Sequence, residues 1–280
     1  MAITDILLPL SSYPNPTETD AIERAVALAR RLGAHVTAAA FEMDIQPAIG
    51  LYVDPLGVRG ILAADRKKSA ENARALLAAF TTLADRLGVA HEESLMCCRP
   101  LEIRGRVAAE ARFRDIAVVP LPEDQPAQDI AETLVFEAGR PVLVFPERPR
   151  RRLPDEIETV AVAWDLGRPA ARAVADAMPF LQRAKQVRFF TVVDDKPLKD
   201  ARLGDTMARH LARHGVEATM EDIKSGGRPI GEVLENYVEE YAADLLVMGA
   251  YGHSRLREFI LGGATARMLA RPPTWVLLSH

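Results

Sequence analysis

"RPIGEVLENYVEEYAADLLVM" (residues 228–248) has an echo 129 positions upstream, "RPLEIRGRVAAEARFRDIAVV" (residues 99–119). Each stretch opens on Arg-Pro and carries an Asp sixteen residues later, Asp244 in one and Asp115 in the other. A short apolar run follows each Asp, LLVM or IAVV, without polar alternation. Such runs suit parallel strands covered by helices on both faces. The repeated unit is therefore a helix followed by a buried strand, and its recurrence at long spacing predicts two copies of one domain.

The likeness extends outward. DILLPLSS (5–12) resembles TVAVAWDL (159–166) at an offset of 154, and each is followed by a helix-periodic stretch, within 17–34 and within 167–184. PVLVF (141–145) matches PTWVLL (273–278) at the ends. The two offsets, 154 and 129, differ by 25, so the first copy carries about 25 extra residues, placed at 42–65. Pro and Arg crowd the segment ERPRRRLPDE (147–156), where neither helix nor strand is favoured, and this predicts a linker. The expected domains are residues 1–147 and 157–280. Strands are expected at about 4–10, 35–41, 91–96, 115–120 and 141–145, then at 159–164, 186–193, 217–222, 244–249 and 273–278. Strands that alternate with helices imply a doubly wound α/β sheet in each half, with ligands at the carboxyl ends of the strands.

Composition narrows the function. The chain has 280 residues, 49% of them hydrophobic and 26% charged, an ordinary globular balance. A net charge of −4 argues against a dedicated nucleic-acid binder. Cys97 and Cys98 are adjacent and have no other cysteine to pair with, which reads as a reducing compartment. No secretory leader pattern and no apolar run of about 20 residues is visible, so the expectation is a cytoplasmic protein without a membrane span.

Glycines flank the segment GAYGHSRLREFILGG (249–263), which leaves the fourth strand of the second copy. Glycine is costly unless the backbone needs a positive φ or something must approach it. The segment ends where ATARMLA begins a helix, and unpaired amides at a helix start favour an anion. A phosphate chain is the ligand such a cradle suits.

This constellation resembles the universal stress protein family. ATP-binding members of that family carry Gly, two residues, Gly, nine residues, then Gly followed by Ser or Thr. Here the pattern is Gly249, Gly252 and Gly262 at the same spacing, with Gly263 in place of the hydroxyl residue. The resemblance covers both halves and implies a tandem member with Rossmann-like five-stranded sheets in the order 3-2-1-4-5, flanked by helices. It implies ATP as the ligand, with or without Mg²⁺, and little or slow hydrolysis. It implies Asp165 at the end of the first strand for the adenosine part, Val192 along the adenine, and Met248 beside the nucleotide. His253, Gly263, Ala264 and Thr265 complete the implied set, Thr265 offering the hydroxyl that Gly263 lacks. The family also implies pairing through fifth strands, here PVLVF beside PTWVLL within one chain, with a homodimer left open.

In the first copy the 129 offset puts Pro120 on Gly249 and Glu123 on Gly252, and Ser11 stands in place of Asp165. Pro lacks an amide donor, and Glu123, Asp124 and Asp129 repel phosphate. One nucleotide per chain is expected. His210 and His214 have metal-ligand spacing but no third ligand nearby, and a solvated face is the expected reading. Ser225-Gly226-Gly227 before Pro229 reads as a helix entry. Three functions follow: an ATP-binding stress-response regulator with unidentified protein partners, a scaffold of the same fold without nucleotide, and a metal-dependent hydrolase.

Overall fold

The computed structural model describes residues 2–45, 58–122, 126–149, 153, 156–193, 202–250 and 263–280. The chain divides into two compact units, Ile3–Arg140 and Pro141–His280. Both are α/β, with parallel-dominated sheets flanked by helices.

The first unit alternates β1 (Asp5–Leu10), α1 (Thr19–Leu32), β2 (His35–Met43), α2 (Val58–Leu87), β3 (His91–Cys98), α3 (Ile103–Ala111), β4 (Ile116–Leu121) and α4 (Pro126–Glu137). Its strands lie in the order β3-β2-β1-β4, all parallel. The unbroken apolar runs of β1 and β4 are buried throughout or nearly so, which is why they read without alternation. β3 stands at an edge and does alternate; its Glu92 and Glu93 are exposed, charges that discourage pairing with another chain.

The second unit holds β5 (Val142–Pro146), β6 (Thr159–Ala163), α5 (Arg168–Leu181), β7 (Gln186–Val193), α6 (Arg202–Arg213), β8 (Ala218–Lys224), α7 (Ile230–Glu240), β9 (Leu245–Gly249), α8 (Gly263–Ala270) and β10 (Trp275–Ser279). Its parallel strands run β10-β9-β6-β7-β8, the expected 3-2-1-4-5 order. β5, the last strand of the first repeat, groups with the second unit. There it pairs antiparallel with β10, Val142 opposite Leu278 and Val144 opposite Val276, and Phe145 packs its ring 4.3 Å from Trp275.

The repeated Asp residues have a shared job. Asp115 accepts from the amide and hydroxyl of Thr4 at 2.8 and 2.9 Å and from the Asp5 amide at 3.1 Å. Asp244 accepts from the amides of Glu158 and Thr159 at 2.9 and 2.8 Å. Each carboxylate binds the start of the first strand of its repeat to the start of the fourth, at the amino edge of the sheet.

Helix ends follow their residues. Gly33, at φ 69°, closes α1, and Pro229 precedes α7 as its cap. Between them the repeats differ most in α2, which has 30 residues against 12 in α6. Much of the insertion is therefore extra helix, while 46–57 lie outside the described residues. Arg188 is an unusual charge within β7. Its Nε donates to Tyr237 Oη at 3.3 Å, its guanidinium lies 3.8 Å over the Tyr241 ring, and Glu221 neutralises it. Burial, opposed by the Arg188 hydrogen bond, pushes the Tyr237 hydroxyl up to about 12.

Candidate functional site at the carboxyl edge of the second sheet

β6 and β9 are neighbours that are not consecutive, and the chain leaves them toward opposite sides of the sheet. This is the switch point at which an open α/β sheet leaves a crevice. Ala163 pairs with both Met248 and Phe190, so the ends of β6, β7 and β9 come level. Asp165, Val192 and Gly249 accordingly stand at one edge. Asp165 is exposed, Val192 half-buried, and Met248 is buried beneath them at 5% exposure.

Asp165 makes a tight local turn. Its Oδ1 accepts from the Gly167 amide at 2.8 Å. A Cβ on Gly167 would stand 2.8 Å from that same oxygen, so a side chain there would displace the carboxylate from this bond. Leu166, between them, sits at φ 61° and is 39% exposed. The left-handed region costs an L-residue about 1–2 kcal/mol. Nothing in the sequence reading pointed to Leu166 or Gly167; the signal available was the Asp-x-Gly spacing of a side-chain turn.

Gly249 answers the question of approach differently from the expectation. A Cβ there would lie 2.4 Å from Ala170 N and 2.6 Å from Pro169 C. What comes close to Gly249 is the first turn of α5. Its glycine is demanded by packing between β9 and that helix, whatever else binds at the edge.

The described part of α8 runs from Gly263 to Ala270, and a Cβ on Gly263 would meet no described atom within 4 Å. Ala264 follows in the first turn of α8. Thr265 is 3% exposed, so its hydroxyl belongs to the helix's buried side and not to an open surface. Gly252, His253 and Gly262 lie outside the described residues. His280 is a further contributor: its Nδ1 lies 3.1 Å from the Ala250 carbonyl, and the Ala250 amide donates to the Ser279 carbonyl at 2.8 Å. The exit of β9 is thus fastened to the end of β10.

In the first unit the equivalent edge is filled. Ser12 is fully buried; its hydroxyl bonds the Phe41 carbonyl and lies 3.3 Å from Ser69 Oγ. Ser69, on α2, accepts from the Met43 amide at 3.0 Å, and Asn72 Nδ2 donates to the Ser12 carbonyl at 2.9 Å. The lengthened α2 therefore covers the ends of β1 and β2 with its own side chains. Asp129, one of the acids noted in the sequence, pairs with Arg104 at 3.6 Å; Glu123 and Asp124 lie outside the described residues.

Both His210 and His214 are exposed, with ring centroids 4.9 Å apart. No group of three or more His, Cys, Asp or Glu residues able to hold a metal occurs among the described residues. No described helix is long and apolar enough to cross a membrane.

Known proteins share this architecture. The profile of the universal stress protein family matches residues 156–280. Universal stress protein Slr1230 of Synechocystis is 46% identical over 46 residues, a match that spans only 16% of either chain. A universal stress protein of Archaeoglobus fulgidus superposes with a TM-score of 0.71 at 15% identity, over 98% of this chain and 95% of its own. The cytoplasmic domain of a prokaryotic cation chloride cotransporter superposes at 0.55 with 12% identity, over 99% and 95%. At those identities the last two likenesses are of fold alone.

Proposed function

We propose that residues 156–280, which match the profile of the universal stress protein family, form a member of it, and that this second unit binds an adenine nucleotide, ATP, at the carboxyl edge of its sheet and acts as a stress-response regulator. The observation that carries this reading is the convergence, at one switch point, of the exposed Asp165 turn, the half-buried Val192 and the end of β9 at Gly249. Asp165 would receive the ribose or base. The amides at Gly263 and Ala264, with those of Gly252 and Gly262 in the spaced-glycine segment, would receive the phosphates. Met248 would support the base from below. The first unit would hold no nucleotide, since Ser12, Ser69 and Asn72 occupy the corresponding edge.

Binding is expected to switch conformation or partners and not to drive rapid turnover. Phosphoryl transfer needs a held metal and cationic clamps around the phosphates, and Asp165 is the one carboxylate in the implied set. Mg²⁺ would therefore arrive with the nucleotide.

Two observations favour a second reading, a scaffold of the same fold without nucleotide. Gly249 is explained by α5 packing, and Gly263 removes a hydroxyl donor. Isothermal titration calorimetry with ATP, with and without Mg²⁺, separates the two. The nucleotide reading expects one site per chain, lost in Gly252→Glu and weakened in Asp165→Ala. Absence of heat with clean protein establishes the scaffold.

A further inference from the structure

The turn after β6 holds a residue whose chemistry the local geometry does not call for. Among the described residues, Leu166 and Ala242 are the non-glycine residues at positive φ, 61° and 49°. Ala242 lies in the turn before β9, at the far edge. Leu166 lies at the carboxyl edge, one position beyond Asp165. The turn itself would form more readily with glycine at 166, because its fastening is the Gly167 amide on Asp165 Oδ1 and involves no side chain of residue 166. A branched apolar side chain is nevertheless held there with the residue 39% exposed, so that part of it stays in water. Strain kept at a ligand-facing edge is an indication of use.

The other repeat sharpens the contrast. The position equivalent to Leu166 by the 154 offset is Ser12, which is fully buried and hydrogen-bonded to Phe41 and Ser69. Where α2 closes the edge, the position is small, polar and satisfied. In the second unit it is large, apolar and partly exposed.

We propose that Leu166 is the apolar wall against which the base of the bound nucleotide packs, and that it sets the preference for a ligand with a flat aromatic base over a bare polyphosphate. The inference rests on the nucleotide reading above. Its chemistry is that of any apolar contact: the exposed part of the side chain loses water against the face of the base.

The test compares wild type, Leu166→Gly and Leu166→Met by calorimetry with two probes, ATP and inorganic tripolyphosphate, alongside thermal midpoints. Leu166→Gly is expected to weaken ATP about three- to tenfold, a loss in keeping with removing one partly buried aliphatic contact. It should leave tripolyphosphate affinity unchanged, and its midpoint should hold or rise as the left-handed strain is released. Leu166→Met should keep the affinity of wild type for ATP. A residue with only a structural role would not separate the two probes. If wild type binds ATP and Leu166→Gly binds it equally well, the inference is overturned while the nucleotide reading stands. Equal losses for both probes with a fallen midpoint also overturn it, since the turn would then be acting through the fold. If wild type binds neither probe, the nucleotide reading itself fails.

Discussion

A glycine can be required by a ligand or by the chain, and the two demands separate at positions 249 and 263. At Gly249 an added Cβ would press on backbone atoms of α5, at 2.4 Å from Ala170 N. Neither β9 nor the helix can give way without moving the sheet interior. Gly249→Ala is expected to destabilise the protein by about 2–3 kcal/mol, within the range for overpacking, read as a lower midpoint in urea denaturation. Gly231 is a useful control: its Cβ would meet the Arg267 side chain at 2.8 Å, and a flexible arginine can swing aside, so Gly231→Ala should cost less. Gly263 is the opposite case. No described atom lies within 4 Å of a Cβ built on it and it lies in α8, so Gly263→Ser is expected to be accommodated and to gain helix propensity of about 0.3–0.5 kcal/mol. Under the nucleotide reading the new hydroxyl adds a charge-assisted hydrogen bond to phosphate, expected to tighten ATP about tenfold. A calorimetric titration of Gly263→Ser with no gain over wild type would place the phosphates elsewhere.

Elements were legible where their signal was local. Continuous apolar runs gave the strands to within about three residues, and the Arg-Pro openings marked the entries to the helical stretches after β3 and β8. The repeat located Asp115 and Asp244 but not their task, since hydrogen bonds to strands 85 to 111 residues away leave no local trace. The same limit hid Ser69 and Asn72: a helix that plugs its own sheet edge reads in sequence as an insertion. At Asp115, burial raises the carboxyl, but the Thr4 and Asp5 hydrogen bonds and Arg140 outweigh it, and the group titrates below its ordinary range. Its stabilisation is therefore complete above the unfolded carboxyl value near 4 and is lost as pH falls through the lower folded value. Asp115→Ala should cost about 1–2 kcal/mol at neutral pH, discounted for partial exposure. The deficit relative to wild type should shrink in denaturation curves taken below pH ~4. A deficit independent of pH would mean that packing, and not the carboxylate, holds β1 against β4.

At the scale of the molecule, the sequence repeat and the structural division do not coincide. The repeat ends its first copy after PVLVF, whereas that strand, β5, groups with the second unit. The antiparallel pairing with β10 joins β5 to the second unit, and no local signal tells a strand which edge it will cover. Without β5, one long edge of β10 would present unpaired amides and carbonyls along the run Val276-Leu277-Leu278, which is wholly buried in the intact chain. Exposed apolar edges of that kind recruit another strand. Two fragments test the consequence. Residues 141–280 retain the antiparallel β5 partner of β10 and are expected to associate less at a given concentration than a fragment that lacks it. Residues 157–280, cut at the boundary the repeat suggests, should associate or aggregate with rising concentration in sedimentation velocity, and Leu277→Lys should oppose that by charging the bare edge if the shorter fragment still folds by circular dichroism. If 157–280 folds and stays as dispersed as 141–280, then β5 is not needed to shield β10 and the limit that the repeat suggests, at 147–157, is the true start of the second domain.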